Sequence, residues 1–342
     1  MSLLVSRSTF LKGLVLSTTA ASFRQPSSPL LPPTASPTIA LQETYLTTSQ
    51  QIRNEITRLV RDDPSLTGPF VRLAFHDAAT FEDDTGGSNG SILYELERSE
   101  NRGLRKPLEI LRKLRSESPS IQDFSLADTI ALAGAASLEA IGGPSIPIRL
   151  GRPDVETADP RYLREPLEVP SKIKYSDHSS NKTAIYDPTS RSLVTTTLPS
   201  AALDSDGLRL YFGRLGLSEA EFVALSGTHG LGRHVSLLNM TKSCLKNLTR
   251  DCLEEAPVLL PFVTSGVDRF DTSYFEYLLK WNAQQVELGQ VAFIPTDVAL
   301  VVDPGLQKYV KKFASNPRLY RRTLCRAYQI LVDRTATTTR RY

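Results

Sequence analysis

The 342-residue sequence predicts a mostly α-helical protein. Apolar residues recur at helical spacing in one segment after another, helix caps and stops bracket those segments, and alternating strand patterns are nearly absent. Ile52, Ile56, Leu59 and Val60 line one helical face until Asp63 and Pro64 stop it. A second helix is expected over 70–78. A third is expected over 125–141, where Ser125 and Asp128 make a capping-box-like start and Gly142, Gly143 and Pro144 an end. Ser218 with Glu221 opens another, running through Phe222, Val223 and Leu225 to Gly227. Later helices are expected near 272–285, 305–314 and 317–332, the last opened by Asn316 and Pro317. The fair strand candidate is 193–197.

Residues 161–197 break the pattern. They are polar, carry Tyr162, Tyr175 and Tyr186 among scattered prolines, and have no period, which reads as a long surface insertion with room for a small hairpin. The first 40 residues read as a targeting segment and spacer: a basic flank precedes the short apolar run within Ser6 to Phe23, and Thr38, Ile39 and Ala40 would suit a processing protease. An organelle, the chloroplast or its thylakoid lumen, is the expected address, with secretion as the alternative. The run is too short to span a membrane, so no stable membrane insertion is expected. Arg7, Lys12 and Arg24 account for the net charge of +3, so the remainder is neutral and a nucleic-acid partner is not expected. Three cysteines are too few for a disulfide framework, although Cys244 and Cys252 are near enough in sequence to pair.

On the second helix Arg72, Phe75 and His76 stand at i, i+3 and i+4 and project from one face. A fixed cation, an aromatic wall and a titratable imidazole side by side suit the cleavage of a peroxide. A neutral histidine can take a proton from one oxygen and give it to the departing one. A guanidinium can stabilise the charge that develops between them. Taken alone, the same triplet also describes a core histidine beside a snorkelling arginine.

The neighbouring motifs make the pattern specific. The runs 72–78 (RLAFHDA), 86–92 (GGSNGSI) and 100–104 (ENRGL) resemble the distal half of plant-type haem peroxidases, nearest to the class I ascorbate peroxidases and their related proteins. The runs 142–147 (GGPSIP) and 151–154 (GRPD) resemble that family's next junction, and 223–232 (VALSGTHGLG) its proximal signature. The resemblance implies a two-domain helical fold with haem b between a distal half, 41–160, and a proximal half, 198–342. It implies that Arg72, His76 and Asn101 are catalytic, with Asn101 accepting from His76 Nδ1 and Glu95 supporting Asn101. Phe75 would border the cofactor pocket. His229 would be the iron ligand, and Asp297, in the run 294–300 (IPTDVAL), would accept from His229 Nδ1. Read without the family, Asp297 is an acid at a helix start. The implied substrates are hydrogen peroxide and a small organic donor, with a role against oxidative stress. Oligomeric state stays open.

The sequence departs from the family in its electron-donor half. Where class I proteins carry a proximal tryptophan it has Val263 beside Phe262, and its single tryptophan is Trp281. The stretch 254–258 (EEAPV) lacks the arginine expected for ascorbate, and Asp63 and Pro64 fall where the family's lysine contact would be. Gly230 and Gly266 replace polar positions of the family's potassium site. Asp77, Gly87, Asn89 and Ser91 resemble a distal calcium site, with Asn89 where a charged Asp is wanted. Neither ion is expected. The alternative to an active enzyme is a peroxidase-like binding or structural protein.

Overall fold

The protein is described from a computed structural model, which covers residues 37–170, 173–175, 184–186, 191–200, 203–235, 259–261, 268–280 and 293–336. Helix α1 (Pro37–Asp62) takes in Thr38, Ile39 and Ala40, so the processing site read from the sequence falls in a helical stretch. It buries Ile52, Ile56 and Val60 as their spacing requires. Its end follows the expected stop: the Asp63 carboxylate accepts from Ser65 N at 3.1 Å, and Pro64 opens a single 3₁₀ turn. Helix α2 (Thr67–Ala78) begins directly after that turn.

Two helices that are not among those expected from the sequence come next: α3 (Arg105–Glu117) and the short α4 (Pro119–Gln122). The first buries Pro107, Leu108 and Leu111, packs Ile110 and Leu114 against the core and presents its charged residues outward, a helical stripe that the expectations above do not include. Helix α5 (Leu126–Ala140) is buried on all sides from Leu126 to Leu138 and packs against both α1 and α2. Its first turn is fully satisfied. The Asp154 carboxylate accepts from Leu126 N and Ala127 N, both at 2.8 Å, and Ser125 Oγ accepts from Asp128 N at 3.0 Å. The GRPD junction is thus the clamp of this helix. Arg152, fully buried, binds Asp128 at 2.7 Å and the Val332 carbonyl at 2.8 Å, tying α5 to the end of the chain. We expect Ser125→Ala to cost about 1 kcal/mol of unfolding free energy, readable by denaturant titration at unchanged m-value.

The 161–197 segment is more regular than its composition suggests. Strand β1 (Tyr162–Pro170) pairs antiparallel with β4 (Arg191–Thr196), with β2 (Ile173–Tyr175) and β3 (Ala184–Tyr186) paired inside them, a nested hairpin. The β1–β4 register shifts between Tyr162 and Leu167, across Pro166, so no clean alternation could survive in the sequence. Helix α6 (Ser205–Arg214) follows, capped by Asp204 Oδ1 accepting from Gly207 N at 2.9 Å. Helix α7 (Glu219–Ser226) starts as expected: the Glu221 carboxylate accepts from Ser218 N at 2.8 Å and Ser218 Oγ at 2.6 Å.

Beyond α7 come a 3₁₀ turn (Gly227–Leu231) and the pair β5 (Arg233–Val235) and β6 (Leu259–Pro261). The rest is α8 (Ser273–Leu279), α9 (Pro295–Val302), α10 (Pro304–Ser315) and α11 (Pro317–Val332). Helix α8 covers the first part of the stretch expected at 272–285; residues 281–292, Trp281 among them, lie outside the described residues. So do Cys244, Cys252, 254–258, Phe262, Val263 and Gly266. Buried apolar residues from Ile52 to Val332 form one contiguous core. Among the described residues no helix is long and apolar enough to cross a membrane.

Candidate active site

Two imidazoles define the site. His76 stands in the last turn of α2, and its Nδ1 lies 2.7 Å from Asn101 Oδ1. Asn101 Nδ2 donates to the Glu95 carbonyl at 2.9 Å, which turns the amide oxygen toward the ring. An amide oxygen only accepts, so Nδ1 donates and Nε2 carries the lone pair. Glu95 therefore holds Asn101 through its backbone, while its carboxylate binds Arg98 at 2.8 Å and Asp159 N at 3.0 Å. Burial, with the Arg72 charge beside the ring, lowers the His76 pKa to about 3 against the opposing Asn101 bond. The imidazole is neutral at physiological pH.

Arg72, one turn earlier, is gripped by the same loop. Its guanidinium donates to the Arg102 carbonyl at 2.6 Å and the Glu100 carbonyl at 2.7 Å. The loop is anchored in turn by the Glu100 carboxylate, bound by Arg161 through two contacts of 2.8 Å at the base of the hairpin. Burial lowers the Arg72 pKa to about 10, which still leaves it charged at pH 7. Phe75 lies edge-on to His76 at a ring-centroid distance of 6.0 Å and contacts Phe212, which stacks on Phe222 at 5.1 Å.

His229 sits in the 3₁₀ turn after α7. Its Nδ1 lies 2.7 Å from Asp297 Oδ1. Asp297 is fully buried in the first turn of α9, and its other oxygen accepts from Ile294 N at 3.0 Å. Both readings of this residue hold at once, one oxygen for the helix start and one for the imidazole. Burial pulls the His229 pKa down, but the Asp297 charge and hydrogen bond outweigh it and the net shift is upward.

The two imidazoles share one charged neighbour. The Arg72 charge acts on both rings, lowering the proton affinity of each. The start of α2 abuts the 227–231 turn so closely that a Cβ on Gly68 would come within 2.4 Å of the Leu231 carbonyl oxygen. Arg72 is exposed, and the His229 side chain is 37 % exposed.

A family model described as "Peroxidase" matches residues 52–316, which contain both imidazoles and all their partners. The chain belongs to the peroxidase family. Curated relatives include "Putative L-ascorbate peroxidase 6" of Arabidopsis thaliana, 32% identical over 286 residues, and a "Putative heme-binding peroxidase" of Cryptococcus neoformans, 30% identical over 306 residues. The alignments cover 82% of this chain and 67% of the first relative, and 83% and 77% for the second. A "Cytochrome c peroxidase, mitochondrial" of C. neoformans is 30% identical over 304 residues, covering 83% of this chain and 67% of that protein.

This peroxidase contains a contact the sequence did not expose. Tyr274 on α8 donates its hydroxyl to Asp297 Oδ1 at 2.5 Å and lies edge-on to His229 at 6.2 Å between ring centres. The only trace in the sequence was its place in the run 269–275 (RFDTSYF), which says nothing of what the ring touches. Burial and the Asp297 charge raise the Tyr274 pKa well above the ordinary phenol value. Near the distal helix, the Asp77 and Asn89 side chains of the group that resembles a calcium site are taken up by backbone amides and Asp159. Asp77 accepts from Gly90 N at 3.2 Å and Ile92 N at 3.3 Å; Asn89 accepts from Ser91 N at 3.0 Å and donates to Asp159 at 2.9 Å. Burial raises the Asp77 pKa to about 8.

Proposed function

We propose that the protein is a haem-dependent peroxidase that reduces hydrogen peroxide with a small organic donor. The observation that carries this reading is the pair of imidazoles, each with Nδ1 2.7 Å from an oxygen acceptor, under the charge of one arginine. The residues fit a haem by their chemistry: an imidazole whose Nδ1 donates to a buried carboxylate presents Nε2 as a basic ligand for iron, and the glycines at 227 and 230 keep that turn slim. A bound haem would supply the electrons that the O–O bond takes on cleavage.

The remaining work falls to the chain. Hydrogen peroxide needs two electrons and two protons to leave as two waters. His76, neutral and held by Asn101, accepts a proton from the near oxygen at Nε2 and returns it to the far oxygen as the bond breaks. Arg72, fixed by the Glu100 and Arg102 carbonyls, faces the negative charge that builds there. Phe75 narrows the space above His76. The donor is a small reductant. Ascorbate is one candidate, because three relatives are named as ascorbate peroxidases, but 254–258 carries no cation to meet it. The basic and apolar pattern of the first 40 residues supports an organelle address, the chloroplast by this reading.

The test is an absorption spectrum of haem-reconstituted protein before and after hydrogen peroxide. A Soret band that shifts with peroxide is the expected result; absence of the band, or a band that peroxide leaves unchanged, overturns the reading. The rate of that shift also carries a pH signature. Because the His76 pKa is lowered to about 3, the base stays unprotonated from pH 7 down to about pH 4. The bimolecular rate is therefore expected to hold across that window and to fall only as pH approaches 3, provided the fold persists. Stopped-flow pH jumps check this, and a rate already halved near pH 6.5 would mean an unshifted histidine.

A further inference from the structure

We infer that Tyr274 is a redox-active residue of this peroxidase: it gives one electron to the site that peroxide has oxidised and passes its phenolic proton to Asp297. The inference rests on the haem-peroxidase reading above and concerns the half of the reaction that the sequence leaves without a residue. The geometry points to it in three ways. The phenol O–H lies 2.5 Å from Asp297 Oδ1, the same oxygen that lies 2.7 Å from His229 Nδ1. The Tyr274 ring is buried and edge-on to the His229 ring at 6.2 Å, so it is one ring removed from the proposed iron ligand. Behind it a run of touching rings leads outward: Phe275 at 5.2 Å from Tyr274, Tyr320 at 4.8 Å from Phe275, and Phe270 stacked on Tyr320 at 4.9 Å. Phe270 is half-buried and carries the Arg321 guanidinium 5.2 Å from its ring centre, so the path ends at the protein surface.

A buried phenol loses an electron readily only if its proton has somewhere to go, because a cationic phenol in an apolar site is costly. Asp297 supplies that destination without movement. The balance is simple. One electron leaves Tyr274 for the oxidised site, the O–H bond breaks, the proton joins Asp297 Oδ1, and a neutral tyrosyl radical remains. A one-electron donor near Phe270 then returns an electron through Tyr320 and Phe275, and Asp297 returns the proton. Two such rounds supply the two electrons that one peroxide consumes. Small aromatic donors can meet the stacked Phe270 edge without entering the haem space, which fits a chain lacking the ascorbate cations at 254–258.

The test is freeze-quench electron paramagnetic resonance on the haem-reconstituted full chain, mixed with one equivalent of hydrogen peroxide. A tyrosyl signal is expected, narrowed when the protein is grown on ring-deuterated tyrosine. It should be lost in Tyr274→Phe, read in a sample whose Soret band still shifts with peroxide, and kept in Tyr162→Phe at the exposed hairpin base. A second measurement on the unaltered protein does not depend on a variant folding. A radical one ring from the iron ligand relaxes fast and resists microwave saturation, whereas one on a distant tyrosine saturates easily. A signal that survives Tyr274→Phe, an easily saturated signal, or a Soret shift with no tyrosyl signal overturns the inference. If the Soret band of the unaltered protein does not respond to peroxide, the peroxidase reading itself fails and this inference falls with it.

Discussion

Replacing His76 with glutamine is expected to slow the reaction with hydrogen peroxide by about 10²–10⁴-fold, the usual contribution of a positioned general base. Glutamine can still donate to Asn101 Oδ1, so the 2.7 Å contact that orders the distal loop keeps a partner. A side-chain amide cannot accept the peroxide proton at neutral pH, and this is why the rate and not the fold should suffer. Stopped-flow rates of the Soret shift measure the loss, and the resting Soret band should be retained because His76 does not hold the iron in this reading. The variant also removes a titration. The folded pKa of His76 lies below its unfolded value, so the folded state binds fewer protons between about pH 3 and 6.5 and stability falls as pH falls through that range. In His76→Gln the part of the acid destabilisation between pH 6 and 4 that comes from this ring should vanish. A peroxide rate within a few-fold of the unaltered protein would remove His76 from the mechanism.

The larger effect is expected below the iron. His229→Ala should lose haem at protein concentrations where the unaltered chain stays loaded. Loss of a mere outer partner of a metal ligand typically weakens binding by about 10–100-fold, and removal of the ligand itself should exceed that. The Asp297 carboxylate would keep Tyr274 and Ile294 N as partners, so the pocket need not collapse. Added imidazole should then restore the Soret band by filling the space the side chain left. Haem titration followed by gel filtration reads the affinity. Undiminished haem retention in His229→Ala, with a spectrum that imidazole does not alter, would assign the iron ligand elsewhere.

The helices that position the site were legible where local chemistry writes itself into adjacent residues. The stop at Asp63 and Pro64, the start at Ser125, the Ser218 and Glu221 pair and the Asn316 and Pro317 start are all contacts within a turn, and each element begins or ends within a few residues of its expected place. Helix α3 was passed over although Leu104, Leu108, Leu111 and Leu114 stand at helical spacing, and α6 was missed because its two internal glycines weaken the helical signal. A small hairpin and a strand near 193–197 were expected within 161–197, but the extent of the nested hairpin was not legible for another reason. Its regularity lies in backbone pairing across the chain, and the register shift at Pro166 erases the alternation that would betray it.

The sequence by itself determined the fold class, the family motifs and the sites of the two imidazoles, because spacing of three and four residues sets one helix face and glycine-rich signatures recur whole. The resemblance implied the Asn101 and Asp297 partners of the two imidazoles, and tertiary structure alone decided the contacts around them. Arg72 and Asn101 are held by one loop, Arg161 anchors that loop from the hairpin, and Tyr274 shares an oxygen of Asp297 with His229. Each of these contacts joins residues far apart in the chain, and no local pattern encodes the distance between them. That physical fact divides the two imidazoles, readable from the motifs, from the phenol beside them, which only folding brings within reach.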